Sequence, residues 1–153
     1  MSDVNSLEDL EALLGISLRA YYPDTSIDHP AILLGRVTDS LADAVADGIS
    51  RAVEDACLLL SHDPKLSFGK RTKARLARAL KKQSGKLNGV DRSRIVKGTS
   101  KLLSLEFCPT ETVEYCRLIR HLGPDAVNAV VASATPISDK ARHLLKGMQT
   151  VVE

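Results

Sequence analysis

An all-α fold follows from three features of the 153-residue sequence. From Leu33 to Leu60, apolar residues recur every three or four positions, the period of one helical face. Aromatic residues are confined to Tyr21, Tyr22, Phe68, Phe107 and Tyr115, with no Trp. A core built mainly from Leu, Val, Ile and Ala suits close-packed helices better than strands. No segment alternates apolar and polar residues convincingly, whereas helix start and stop signals recur along the whole chain. The length is that of one domain. The expected architecture is a single globular helical domain of six or seven helices, with one long central amphipathic helix.

Ser6 followed by Asp9 forms a relaxed capping box, and Leu7, Leu10 and Leu14 make an apolar stripe ending at Gly15, so a short first helix is predicted. Residues 16–27, with Pro23, Asp24, Thr25 and Ser26, read as a loop. Segment 1–27 is thereby set apart from a helical domain at 28–153. Asp28 ahead of His29 and Pro30 opens the next helix. Its stripe is Leu33, Val37, Leu41, Val45, Ile49, Val53, Ala56 and Leu60, with Asp39, Asp43, Asp47, Glu54 and Asp55 mostly between them. One helix is predicted over Asp28–Ser61, weakest at Gly48. Such a helix would be about 45 Å long, more than a domain of this size covers, and it offers a seam for a homodimer.

Lys70–Gln83 is rich in Ala, Leu, Lys and Arg and reads as helix by propensity. Ser84–Val90, with its two glycines, is a turn. Asp91 then caps a helix running to about Phe107, because Cys108-Pro109 cannot continue it. Thr110 or Thr112 caps a helix that stops at Gly123-Pro124, Asp125–Ala134 is a short apolar helix, and Ser138 opens the last one.

Charge is strongly segregated. Segment 65–104 holds thirteen Lys or Arg and a single acid, Asp91. The residues before it carry −9, this block +12 and the residues after it −1, although the whole chain is only +2. Sign asymmetry of this kind points to a polyanionic partner. On a helical projection Lys70, Arg71, Arg75, Arg78, Lys81 and Lys82 fall within an arc of about 140°, opposite Leu76 and Leu80. In the second basic helix Arg94, Lys97 and Lys101 share a side opposite Ile95, Thr99, Leu102 and Leu103. Arg92 falls inside the apolar arc, but in the first turn, where it can swing outward. Lys65, Lys73 and Lys86 flank the pair.

Like charges at i, i+4 destabilise an isolated helix, and a phosphate backbone relieves them. These ten residues, Lys70 through Lys82 and Arg92 through Lys101, are therefore the candidate nucleic-acid contacts. With about six of them on phosphates, the log–log salt slope for duplex DNA would be about −5. Duplex is expected over single strand, because single-strand binders stack bases on aromatic rings and only Phe68 lies near. The first basic helix, having little to bury, is expected at the domain's edge, with Arg71, Arg75 and Arg78 dispensable for folding. The alternative is a non-enzymatic adaptor whose basic face docks an acidic protein, this chain's own acidic half included.

Within the block, Gly85–Gly98 resembles the turn and second helix of a helix-turn-helix, with Gly85 four residues before the turn Gly89, Val90 after it and Ile95 six beyond. It departs from that pattern at Ser84 and Asn88, which stand at positions usually apolar. The resemblance implies a recognition helix over Asp91–Lys101 with Arg92, Ser93 and Arg94 near base edges. Other chemistry is not indicated. Cys108, Cys116, His121 and His143 match no zinc spacing, and no Walker loop or GxGxxG is present. Cys116 beside Arg117 and Arg120 lacks a positioned base, since His121 is off its helix face. No enzyme activity, cofactor or metal is expected. The acidic N-terminus and the absence of a long apolar run argue against a secretory signal or a membrane span, Lys70–Gln83 offers a membrane surface only two leucines and no aromatic anchor, and few, odd-numbered cysteines fit a reducing cytoplasm.

Overall fold

A computed structural model describes residues 4–23, 26–66 and 69–151. It contains eight α-helices: α1 Leu7–Leu14, α2 Pro30–Ala46, α3 Ser50–His62, α4 Gly69–Lys82, α5 Gly89–Leu103, α6 Thr112–Leu122, α7 Pro124–Ser133 and α8 Asp139–Val151. Short 3-10 turns occupy Arg19–Tyr21 and Ser84–Lys86. No strand occurs among the described residues, and no described helix is long and apolar enough to cross a membrane.

The centre is a four-helix arrangement in which α3 packs on α5, α5 on α6, α6 on α4 and, more lightly, α4 on α3. The second helix covers α3 and α4 from one side, α7 covers α5 and α6 from the other, and α8 closes against α6. Leu59 and Leu60, Leu76 and Leu80, Ile95, Leu102 and Leu103, and Leu118 and Ile119 bring the four inner faces together, all fully buried. Burying each such side chain contributes about 1.5–3 kcal/mol. The N-terminal segment joins this core through Leu7, Leu10, Leu14 and Leu18, and the Tyr21 hydroxyl donates a 2.6 Å bond to Asp55 Oδ2 on α3. Asp24 and Thr25 of the predicted loop lie outside the described residues, as does Phe68.

The single long helix does not form. Gly48 takes φ +78°, a left-handed conformation that costs glycine nothing, and the chain turns between α2 and α3. The turn is clamped from below: Gln83 Nε2 donates to Ala46 O at 2.9 Å and Lys86 Nζ to Gly48 O at 2.8 Å. Apolar periodicity runs through the break because both helices bury their stripes in the same core. Ile49, counted into that stripe, is the exception and is exposed. The break raises the helix count to eight. It also removes the uncovered 45 Å length on which the homodimer seam through Asp28–Ser61 was argued.

Smaller boundary shifts have local causes. His29, not Asp28, stands at the start of α2. The cap of α5 is Asn88, whose Oδ1 accepts from Asp91 N at 2.8 Å while Asp91 Oδ2 accepts from Asn88 N at 3.2 Å, so Asp91 is the third residue of a capping box. The same helix ends at Leu103, leaving Phe107 exposed in the connection to α6. Gly98, in the middle of α5, lets the helix cross closely over Leu60 of α3.

Candidate anion-binding face

The basic block does not form one surface. Helices α4 and α5 stand diagonally in the central arrangement, with α3 and α6 between them, and they do not pack on each other. That separation departs from a helix-turn-helix, whose two helices pack together. The first basic helix is not at an edge either. It lies between α2 and α6 and buries Thr72, Lys73, Leu76, Ala77, Ala79 and Leu80.

Each cation has its own environment. Lys73 is inside the protein, its Nζ 2.6 Å from Asp63 Oδ1. Arg75 reaches across to α2, donating from Nη1 to Asp39 Oδ1 at 2.8 Å and from Nη2 to Asp43 Oδ1 at 2.6 Å. This fork is a direct consequence of carboxylates one helical turn apart meeting a planar guanidinium. Arg75 is therefore a structural tie between α2 and α4 and not a free contact. Arg78 points to α6, 3.9 Å from Glu114 Oε2. Lys70, Arg71, Lys81 and Lys82 make no side-chain hydrogen bond or ion pair among the described residues.

On α5, two cations serve as helix caps. Arg92 donates from Nε to Leu87 O at 3.3 Å and from Nη1 to Leu122 O at 3.0 Å, closing the C-terminus of α6. Lys101 Nζ donates to His62 O at 3.2 Å, at the end of α3. Arg92 is thus turned away from the base-reading position that the resemblance implied. Arg94 is half-buried, and Lys97 is exposed without a partner among the described residues. Burial, followed by the nearby positive charges of Lys97, Lys101 and Arg94, holds the His62 imidazole below its ordinary pKa.

A further cluster of basic side chains lies where α4 meets α6. Lys81 from α4 and Arg117, Arg120 and His121 from α6 line an open groove of about 500 Å³ that has no carboxylate in its lining. Lys81 belongs to the sequence-derived face, but the three α6 residues do not. Their signal was present as the i, i+3, i+4 spacing that puts 117, 120 and 121 on one side of a helix. It fell outside the block that defined the basic segment. Glu114 sits at the edge, shared by Arg117 and Arg78, with its side chain largely buried. It holds those two guanidiniums in place and offsets one of their charges.

Two of the three thiols are shielded. Cys57 and Cys116 are buried, and burial pushes the Cys116 thiol up to about 12 and the Cys57 thiol up as well, despite Arg120 near the former and Arg94 near the latter. Among the described residues no three His, Cys, Asp or Glu side chains gather as a metal site. No protein-family model, no curated protein and no solved structure matches the chain.

Proposed function

We propose that this protein binds the phosphate backbone of nucleic acid, duplex DNA in the first instance, through the face formed by α4 and α6. The observation that carries the reading is the groove of Lys81, Arg117, Arg120 and His121, in which four basic side chains from two helices converge without a lining carboxylate. Lys82 and Arg78 extend the face along α4. Lys70 lies on the same side of that helix as Lys81, about 16 Å away along the axis, a span of about five phosphates per strand. Cations presented in this way gain from releasing condensed counterions and need no sequence readout. Duplex fits better than single strand, because the groove presents guanidinium and ammonium groups and no Phe, Tyr or Trp for base stacking. The role is binding, with no chemistry of its own. The α5 cations Arg92 and Lys101 drop out of the contact set because backbone carbonyls already occupy them.

A second reading, docking of an acidic protein helix, draws support from Arg75, which already grips two carboxylates one turn apart. Fluorescence anisotropy with a labelled duplex separates the two. On the nucleic-acid reading, about six phosphate contacts lose about a thousand-fold in affinity between 50 and 200 mM salt. Lys81→Glu with Arg120→Glu abolishes binding and leaves helicity unchanged, since neither residue belongs to the core. Absence of binding at 50 mM salt, or full affinity in the double variant, overturns the proposal. Retention of an acidic protein after nuclease treatment would then favour the second reading.

A further inference from the structure

An apolar-floored groove of about 540 Å³ between α5 and α7 takes no part in the face described above. Val96 of α5 looks across it at Ala126 and Ala129 of α7. One end is closed and chemically quiet. Ser133 Oγ donates to Ala129 O at 2.7 Å, so in the 2.7 Å contact between Ser100 and Ser133 it is Ser100 that donates. Beyond it, Thr135 N donates to Ser104 Oγ at 2.9 Å, tying together the segments that follow the two helices. A ligand entering from the open side therefore meets a dead end. That shape suits a short molecule and obstructs a partner helix laid along α5.

The open end is different. Ser93 and Lys97, one turn apart on α5, border this groove and also a neighbouring hollow beside Gly89, Val90 and Arg94. Neither Ser93 nor Lys97 makes a side-chain hydrogen bond or ion pair among the described residues. Arg92 borders the groove with its charge intact, although two of its N–H groups are committed to carbonyls. Asp125 stands on the opposite wall, in the first turn of α7. In the groove itself Arg92 and Lys97 stand against Asp125 and leave a single positive charge, to which Arg94 in the neighbouring hollow adds. One negative head group is balanced there, and a second would face Asp125.

We infer that the α5–α7 groove binds a small monoanionic amphipath, a carboxylate or sulfonate head on an unbranched apolar body. The Ser93 hydroxyl and the Lys97 ammonium receive the head, and the body lies along Val96, Ala126 and Ala129. The volume falls in the range of about 300–1,000 Å³ that holds small ligands, and the mixture of apolar walls with a few convergent polar groups is the usual make-up of such sites. This inference is independent of the nucleic-acid reading, because the groove is lined by α5 and α7 alone and by none of the four residues lining the α4–α6 groove.

Calorimetric titration of the full chain with hexanoate, octanoate and decanoate, each kept below its micellar range, tests it. Affinity rises about fourfold per added methylene as each is buried. Lys97→Glu weakens octanoate by about tenfold through loss of the charged partner, while octanol binding is little changed. Ala129 is exposed on α7, so Ala129→Trp fills the groove without entering the core and abolishes binding, with unchanged circular dichroism and unchanged duplex affinity. Affinity independent of chain length, wild-type binding by Ala129→Trp, or occupation of the groove by an acidic amphipathic peptide but not by decanoate each overturns the inference.

Discussion

Lys73 is the cation whose replacement most sharply separates structural charge from presented charge. Its Nζ lies 2.6 Å from Asp63 Oδ1, and the two side chains are 6% and 1% exposed. Asp63 caps α3 in a left-handed conformation, φ 48°, with its N–H on Leu59 O, so its carboxylate is fixed in place. The neighbouring Tyr115 hydroxyl is fully buried and has no hydrogen-bond partner among the described residues. Burial, then the charges of Asp63 and Glu111, raise its pKa well above the ordinary tyrosine value. Lys73→Met keeps the length of the side chain, removes its charge and leaves a carboxylate buried, at a cost of about 3–5 kcal/mol. At about 2–4 °C per kcal/mol for a chain of this size, the melting temperature falls by roughly 6–20 °C. Asparagine tolerates the left-handed region, so Lys73→Met with Asp63→Asn recovers most of the loss, as a buried pair replaced on both sides often does. Urea unfolding followed by circular dichroism, run as a double-mutant cycle, reads both numbers. A cost under about 1 kcal/mol with no coupling between the sites is the behaviour of a solvated surface pair, and it would refute the assignment of Lys73 to the core.

Two further outcomes follow from local geometry. Gly98→Ala would stabilise an exposed helix by about 1 kcal/mol, but here the new Cβ would stand 2.6 Å from Leu60 O and 3.2 Å from Leu60 C, so α3 and α5 must part. Overpacking of about 1–3 kcal/mol outweighs the propensity gain, and a raised urea midpoint would disprove the close crossing. His62 titrates below its ordinary value because of burial and the charges of Lys97, Lys101 and Arg94. The unfolded chain therefore takes up this proton at higher pH than the folded one. Its contribution to stability is complete above the ordinary histidine pKa of about 6.5 and is lost as pH falls from there through the folded midpoint. An NMR titration of His62 shows the midpoint climbing back toward the ordinary value as salt screens the three cations, and a midpoint at or above that value at low salt rules the arrangement out.

Most of the fold is legible in spacing and caps. Ser6 accepts from Asp9 N at 3.2 Å and Gly15 closes α1 at φ 69°, as the local chemistry dictates. Gly123-Pro124 separates α6 from α7 where the breakers stand. The Gly48 turn was not legible, because periodicity records which side chains are buried and not whether the axis between them bends. A glycine in a helical pattern costs only about 1 kcal/mol when it stays helical. What decides for the turn is tertiary: Gln83 and Lys86, more than thirty residues away in sequence, hold the freed carbonyls of Ala46 and Gly48.

The candidate face shows the same limit in electrostatic form. A projection orders the cations around α4 but is blind to which neighbours bring carboxylates. Arg71 with Arg75 and Arg78 with Lys82 are like-charge i, i+4 pairs, each worth a few tenths of a kcal/mol against the helix. The fold relieves half of each pair: Asp39 and Asp43 take Arg75, and Glu114 stands 3.9 Å from Arg78. Those carboxylates come from α2 and α6, so the acidic N-terminal half neutralises one flank of the basic helix and leaves the rest. Lys70, Arg71, Lys81 and Lys82 have no carboxylate of their own among the described residues, and α6 adds Arg117 and Arg120 beside Lys81. A chain selecting only for stability would place a carboxylate in that groove, as it does beside Arg75. The groove has no carboxylate in its lining beyond Glu114 at its edge, and on the proposed reading an anion from outside takes that place.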